Sequence, residues 1–118
     1  MNFTIRDMSG DVTVIECPER LDVNVSDDLK AIMTNLTGQN KYKIVLNLLP
    51  TRYVDSSGLG AIVSRIAVTR ANGGDIRLVV TSKAILDLLQ LTHLNKIISS
   101  YDNLIRAVNS YSVTKPKH

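Results

Sequence analysis

A chain of 118 residues has room for one compact domain and none for a second independent core. Its 44% hydrophobic and 21% charged residues, with six Gly and three Pro, exclude a disordered or fibrous chain, and the core must be aliphatic because Trp is absent and Phe3 is the single Phe. The net charge of +3 is dispersed among acids, with part of it at Arg106, Lys115 and Lys117, so neither a compact basic patch nor an aromatic platform for nucleic acid is present.

The segment Met1 to Asp7 lacks the basic start and apolar stretch of a secretory signal, and no apolar run approaches the roughly 20 residues that span a bilayer. A cytoplasmic protein is expected. Phe3 and Ile5, then Val12 and Val14, alternate with polar residues across Ser9-Gly10-Asp11, which predicts an antiparallel hairpin. Cys17 is the only cysteine and reads as a small core residue, excluding an internal disulfide or a cysteine-rich metal site. The sequons at Asn2, Asn24 and Asn35 are taken as chance, because glycosylation requires secretion.

Ser26 as cap, Asp27 and Asp28 in the first turn, and Leu29, Ile32, Met33 and Leu36 at helical spacing predict a helix that Gly38 ends. Ile44 to Leu48 is a nearly continuous apolar run, as in a parallel strand covered on both faces, and Pro50 limits its extension. Leu59, Ile62, Val63 and Ile66 predict a second helix closed by Asn72-Gly73-Gly74, followed by a strand from Ile76 to Val80. Ser82 caps a third helix with Ile85, Leu88 and Leu89 inward; Leu91 and Leu94 are assigned to the core as well. Asn95 precedes a short apolar segment at Ile97-Ile98, and a last helix carries Leu104, Ile105 and Val108.

Strands alternating with helices predict an α/β fold: one mostly parallel sheet of four to five strands with an antiparallel N-terminal strand, right-handed crossovers and about four helices. No repeat or linker divides residues 1–111, and residues 112–118, with Pro116 and two lysines, are expected to form a flexible basic tail.

At Val54-Asp55-Ser56-Ser57-Gly58-Leu59-Gly60, a carboxylate and two hydroxyls stand where the third strand gives way to a helix. Free N–H groups and the positive dipole end make such a start tolerant of an anion, so a phosphoserine fits there. Plain capping by Asp55 or a serine, with Gly58 and Gly60 allowing close backbone approach, explains the same composition. Local chemistry leaves both readings open.

The string Ile44 to Leu48 followed by Val54 to Gly60 resembles the core signature of the STAS domain family, of the anti-sigma factor antagonist type. The likeness extends to Arg20-Leu21-Asp22, to Gly73-Gly74 and to Ile85 through Leu94, so that residues 1–111 are expected to be one STAS domain. It implies that Ser56 is phosphorylated by a partner that is both anti-sigma factor and ATP-dependent serine kinase. Phosphorylation releases that partner, a metal-dependent serine phosphatase reverses it, and the unphosphorylated form frees a sigma factor. Asp22, Asp55, Ser57, Gly58 and Leu59 would flank the switch and meet the partner. Two departures stand out: Glu19 or Arg20 where relatives often carry Gly, a site that bears on partner choice, and Asn47 where an acid is common.

No enzyme is expected. A Gly-x-Ser-x-Gly elbow is absent and no base adjoins the serines, since His93 follows a predicted helix and His118 lies in the tail. Asp22, Asp27, Asp28 and Asp55 lack metal-ligand spacing, and no cofactor motif occurs. The alternative function keeps the fold and changes the client, as in STAS subunits of membrane transporters or of larger signalling assemblies.

Overall fold

The computed structural model describes residues 2–112; the expected tail at 112–118 lies, apart from Ser112, outside the described residues. Strands β1 (Thr4–Met8) and β2 (Val12–Glu16) form the hairpin, joined by a 3-10 turn at Ser9–Asp11. β3 (Arg20–Leu21), α1 (Ser26–Gly38), β4 (Lys43–Asn47), β5 (Tyr53–Val54), α2 (Ser56–Val63) and α3 (Ile66–Ala71) follow. The chain closes with β6 (Asp75–Val79), α4 (Lys83–Leu91), β7 (Ser100–Tyr101) and α5 (Leu104–Asn109). The main sheet has five strands in the order β1-β2-β4-β6-β7, antiparallel at β1-β2 and parallel elsewhere.

The period-2 pattern sorts the sheet's side chains into two layers. Ile15, Ile44, Leu46, Ile76 and Leu78 pack against α1 through α4 by way of Leu29, Met33, Ile62, Ile66, Ile85 and Leu89. Val12, Val14, Val45 and Val79 face the other way, onto Ala107 and Val108 of α5. β4 is therefore apolar from Ile44 to Leu46, where it is covered on both faces. No helix among the described residues is long and apolar enough to cross a membrane.

Several local expectations change in the folded chain. Ile5 is 47% exposed because β1 is the sheet edge, while Phe3 just before it is buried. Ser26 is not a cap: the Asp22 carbonyl accepts from both Val25 N–H and Ser26 N–H, so the helix is entered through a backbone turn. α1 does end at Gly38, as expected, but the left-handed residue is Asn40 (φ 62°), two positions beyond it. The helix expected from Leu59 through Ile66 breaks at Ser64-Arg65, and Ile97-Ile98 precedes a strand rather than forming one. Leu91 is 78% exposed instead of lying in the core, and Leu94 is half-buried.

The turn before β6 fits its sequence more closely. Gly73 has φ 83°, and a Cβ on Gly74 would fall 1.9 Å from the Tyr42 carbonyl oxygen, which only glycine avoids.

Candidate functional site

β4 does not lead directly into the Asp-Ser-Ser-Gly motif. Between them, β5 pairs in parallel with β3 in a separate two-stranded ladder, with Arg20 opposite Tyr53 and Leu21 opposite Val54. Two residues a side carry little stability alone. The ladder is held by its flanks: the Glu19 carbonyl accepts from Arg52 N–H and Tyr53 N–H, and Asp55 N–H donates to the Leu21 carbonyl at 3.2 Å.

This ladder sets Asp55 beside the loop that follows Leu21. Asp55 Oδ1 accepts from Gly58 N–H at 2.9 Å, capping α2, while Oδ2 accepts from Val23 N–H at 3.1 Å. One carboxylate thus fastens two segments 32 positions apart in the chain. Asp22, itself buried, turns its carboxylate onto Asn24 N–H (3.0 Å) and the Arg20 guanidinium (3.3 Å). Both aspartates therefore do structural work at the start of α2 and in the loop beside it.

Gly58 supplies the closest contact. A Cβ there would lie 2.1 Å from the Leu21 carbonyl oxygen, so α2 can seat against β3 only without a side chain at this position. A Cβ on Gly60 would meet nothing within 4 Å, so the expectation of close approach fails there.

Ser56 is the first residue of α2 and its side chain is exposed; Ser57 is half-buried, and half-buried Leu59 packs against the core. Exposed Val23 and Tyr53 stand beside the motif, and the Arg20 guanidinium sits 4.3 Å from the centre of the Tyr53 ring. Arg52 and Glu19, both exposed, pair at 3.6 Å. Sequence reasoning missed the ladder and the stacked arginine, because two-residue strands are too short to show a period.

The arrangement leaves the Ser56 hydroxyl exposed on the surface at the start of α2. Among the described residues, no side-chain base hydrogen-bonds Ser56 or Ser57, and no cluster of three or more His, Cys, Asp or Glu gathers. A depression of about 750 Å³ lies elsewhere, lined by Asp87, Gln90, Leu91, His93, Asn95 and Lys96.

The STAS domain family model matches residues 6–109. An anti-sigma F factor antagonist of Paenibacillus polymyxa is 29% identical over 103 residues, 86% of this chain and 88% of that protein. Among solved structures, a candidate anti-sigma factor antagonist from Thermotoga maritima superposes with a TM-score of 0.85 at 25% identity, covering 94% of this chain and 95% of that one. The antagonist SpoIIAA in its unphosphorylated form gives a TM-score of 0.73 at 19% identity, covering 93% and 96%. Bacillus SpoIIAA in the phosphorylated form gives 0.72 at 20%, covering 92% and 97%.

Proposed function

This chain belongs to the STAS domain family, and from that premise we propose that it is a cytoplasmic anti-sigma factor antagonist that works by partner switching, with Ser56 as the switch. Its unphosphorylated form binds an anti-sigma factor that is also a serine kinase. Transfer of the ATP γ-phosphoryl group to Ser56 Oγ releases that partner, and a metal-dependent serine phosphatase restores the hydroxyl. The chain itself is substrate and ligand in this scheme, not catalyst.

The observation that carries the reading is the exposed Ser56 side chain on the first residue of α2, directly after the Asp55 cap. Asp55 spends its oxygens on Gly58 and Val23. Added charge at Ser56 can therefore act on a partner without dismantling the cap. Half-buried Ser57 and Leu59 complete the proposed contact surface, while buried Asp22 and Gly58 flank it and hold the neighbouring loop and the helix in place.

A phosphate adds about −1.5 to −2 charges. A partner carboxylate about 6 Å away would be repelled by about 5 kcal/mol at an effective dielectric of 20, which exposure and salt reduce to about 1–3. That corresponds to a loss of affinity of about 5- to 150-fold. Local repulsion and bulk are then sufficient for a switch with no rearrangement of the fold.

The test is titration of the anti-sigma factor kinase against three variants. Ser56→Asp, with one added charge rather than two, should weaken binding by about 2- to 12-fold while the melting temperature moves by no more than about 2 °C. Ser56→Ala should bind normally and take up no phosphate from ATP, and Ser57→Ala should still be phosphorylated, as located by mass spectrometry. Unfolding of Ser56→Asp, or phosphate found on Ser57, would refute the scheme.

A further inference from the structure

On the α5 side of the sheet, a row of polar groups crosses three strands and ends at the turn that feeds the motif. The Arg6 guanidinium of β1 donates to Glu16 Oε2 of β2. Asn47, at the end of β4 and directly opposite Glu16 in the ladder, donates its Nδ2 to Glu16 Oε1 at 2.6 Å. Asn47 Oδ1 accepts from Leu49 N–H at 3.1 Å. The two neighbours fix the amide's orientation, since a carboxylate only accepts and a backbone N–H only donates.

Leu49 opens the turn between β4 and β5. That turn is closed by Thr51 N–H to the Leu48 carbonyl (3.0 Å), and it is fastened below β3 by the buried Thr51 hydroxyl, which donates to the Pro18 carbonyl at 2.8 Å. Arg52 and Tyr53 N–H then meet Glu19, and Asp55 N–H meets Leu21. The Leu48 N–H holds the start of this run to β6 through the Val79 carbonyl at 2.8 Å, and Asn47, only 7% exposed, is the side chain that ties the turn to β2.

We propose that Asn47 is a positioning residue for the Ser56 site, its neutral amide being required by the carboxylate of Glu16. An acid at position 47 would set two carboxylates in hydrogen-bonding contact and push the turn off the sheet. An apolar residue would leave Leu49 N–H unpaired and Glu16 one donor short. The functional meaning rests on Ser56 being the switch; the geometric claim does not.

Backbone amide exchange, followed by NMR on the full chain, tests the geometry with no partner present. In Asn47→Asp, the Leu49, Thr51, Tyr53 and Asp55 amides should exchange about tenfold faster, while Ile44 and Leu78 stay within about twofold of the parent. Glu16→Gln alone should leave the turn amides like the parent, because the glutamine oxygen still accepts from Asn47 while the exposed Arg6 guanidinium, losing its acceptor, turns to solvent. The double variant Glu16→Gln/Asn47→Asp should restore the turn, because the new glutamine amide donates to the new aspartate, a rescue that a merely structural loss would not show. Unchanged turn amides in Asn47→Asp, equal acceleration in the core, or no rescue by the double variant would each overturn the proposal. A failure of Ser56→Asp to weaken binding would instead strike the switch reading and leave these rates as they are.

Discussion

Gly58 and Gly60 lie two residues apart in one helix and obey opposite constraints. A methyl at 58 would overlap the Leu21 carbonyl oxygen and approach Val54 Cγ1 to 3.1 Å, whereas one at 60 points into open space. Gly58→Ala is expected to cost about 1–3 kcal/mol through overpacking against backbone that cannot rotate away. Gly60→Ala is expected to gain about 0.5–1 kcal/mol, the usual advantage of alanine inside a helix. Urea denaturation of the two variants checks both signs, and equal effects would contradict the contact. Cys17 sits at the other extreme of reactivity. Burial pushes its thiol well above the usual range, with the Glu16 charge adding to the shift, so it stays an inert thiol at neutral pH.

At the scale of elements, α2 has eight residues and depends on its cap and its packing more than on helix propensity. Asp55 supplies the cap and also ties the Val23 loop to the helix start. Asp55→Ala should therefore cost about 1–2 kcal/mol by chemical denaturation, at the upper part of the range for a lost cap. The Val23 amide should lose its exchange protection in the same variant. A cost no larger than that of Ser56→Ala would show that the bridge does not matter. The break between α2 and α3 has a local cause: Ser64 Oγ donates to the Ala61 carbonyl at 2.8 Å, competing with the helical ladder. The apolar positions Leu59, Ile62, Val63 and Ile66 run straight across this break, so their spacing carried no sign of it.

At the scale of the whole molecule, the C-terminal helix is fastened by one phenol. The Tyr111 hydroxyl stands 2.7 Å from the carbonyl oxygens of Ile44 and Asp75, its single proton shared between them across β4 and β6. The Arg77 guanidinium lies 4.0 Å from the Tyr111 ring centre. Burial raises the phenol above its usual value, outweighing the opposing pull of Arg77. A group with a raised folded pKa contributes its full stability below its unfolded value and loses it as pH climbs through the folded one. Tyr111 and Cys17 therefore predict stability that falls above about pH 9–10 and that these groups leave independent of pH below it. Tyr111→Phe should cost about 1 kcal/mol at pH 7 and flatten the alkaline decline in melting temperature. What the sequence determined by itself was the local part: the alternation of β2, the apolar runs of β4 and β6, the stripe of α1, a cap at Ser82, a cap by Asp55 or a serine, and thus a hydroxyl placed at a helix start. Each depends on neighbours within one turn or one pleat. Only the folded chain decided that β3 pairs with β5, that Asp55 reaches Val23, that Gly58 touches Leu21 and that Asn47 answers Glu16 across 31 positions. Those contacts join segments whose closeness is set by the path of the whole chain, and no residue pattern within either segment records its distant partner.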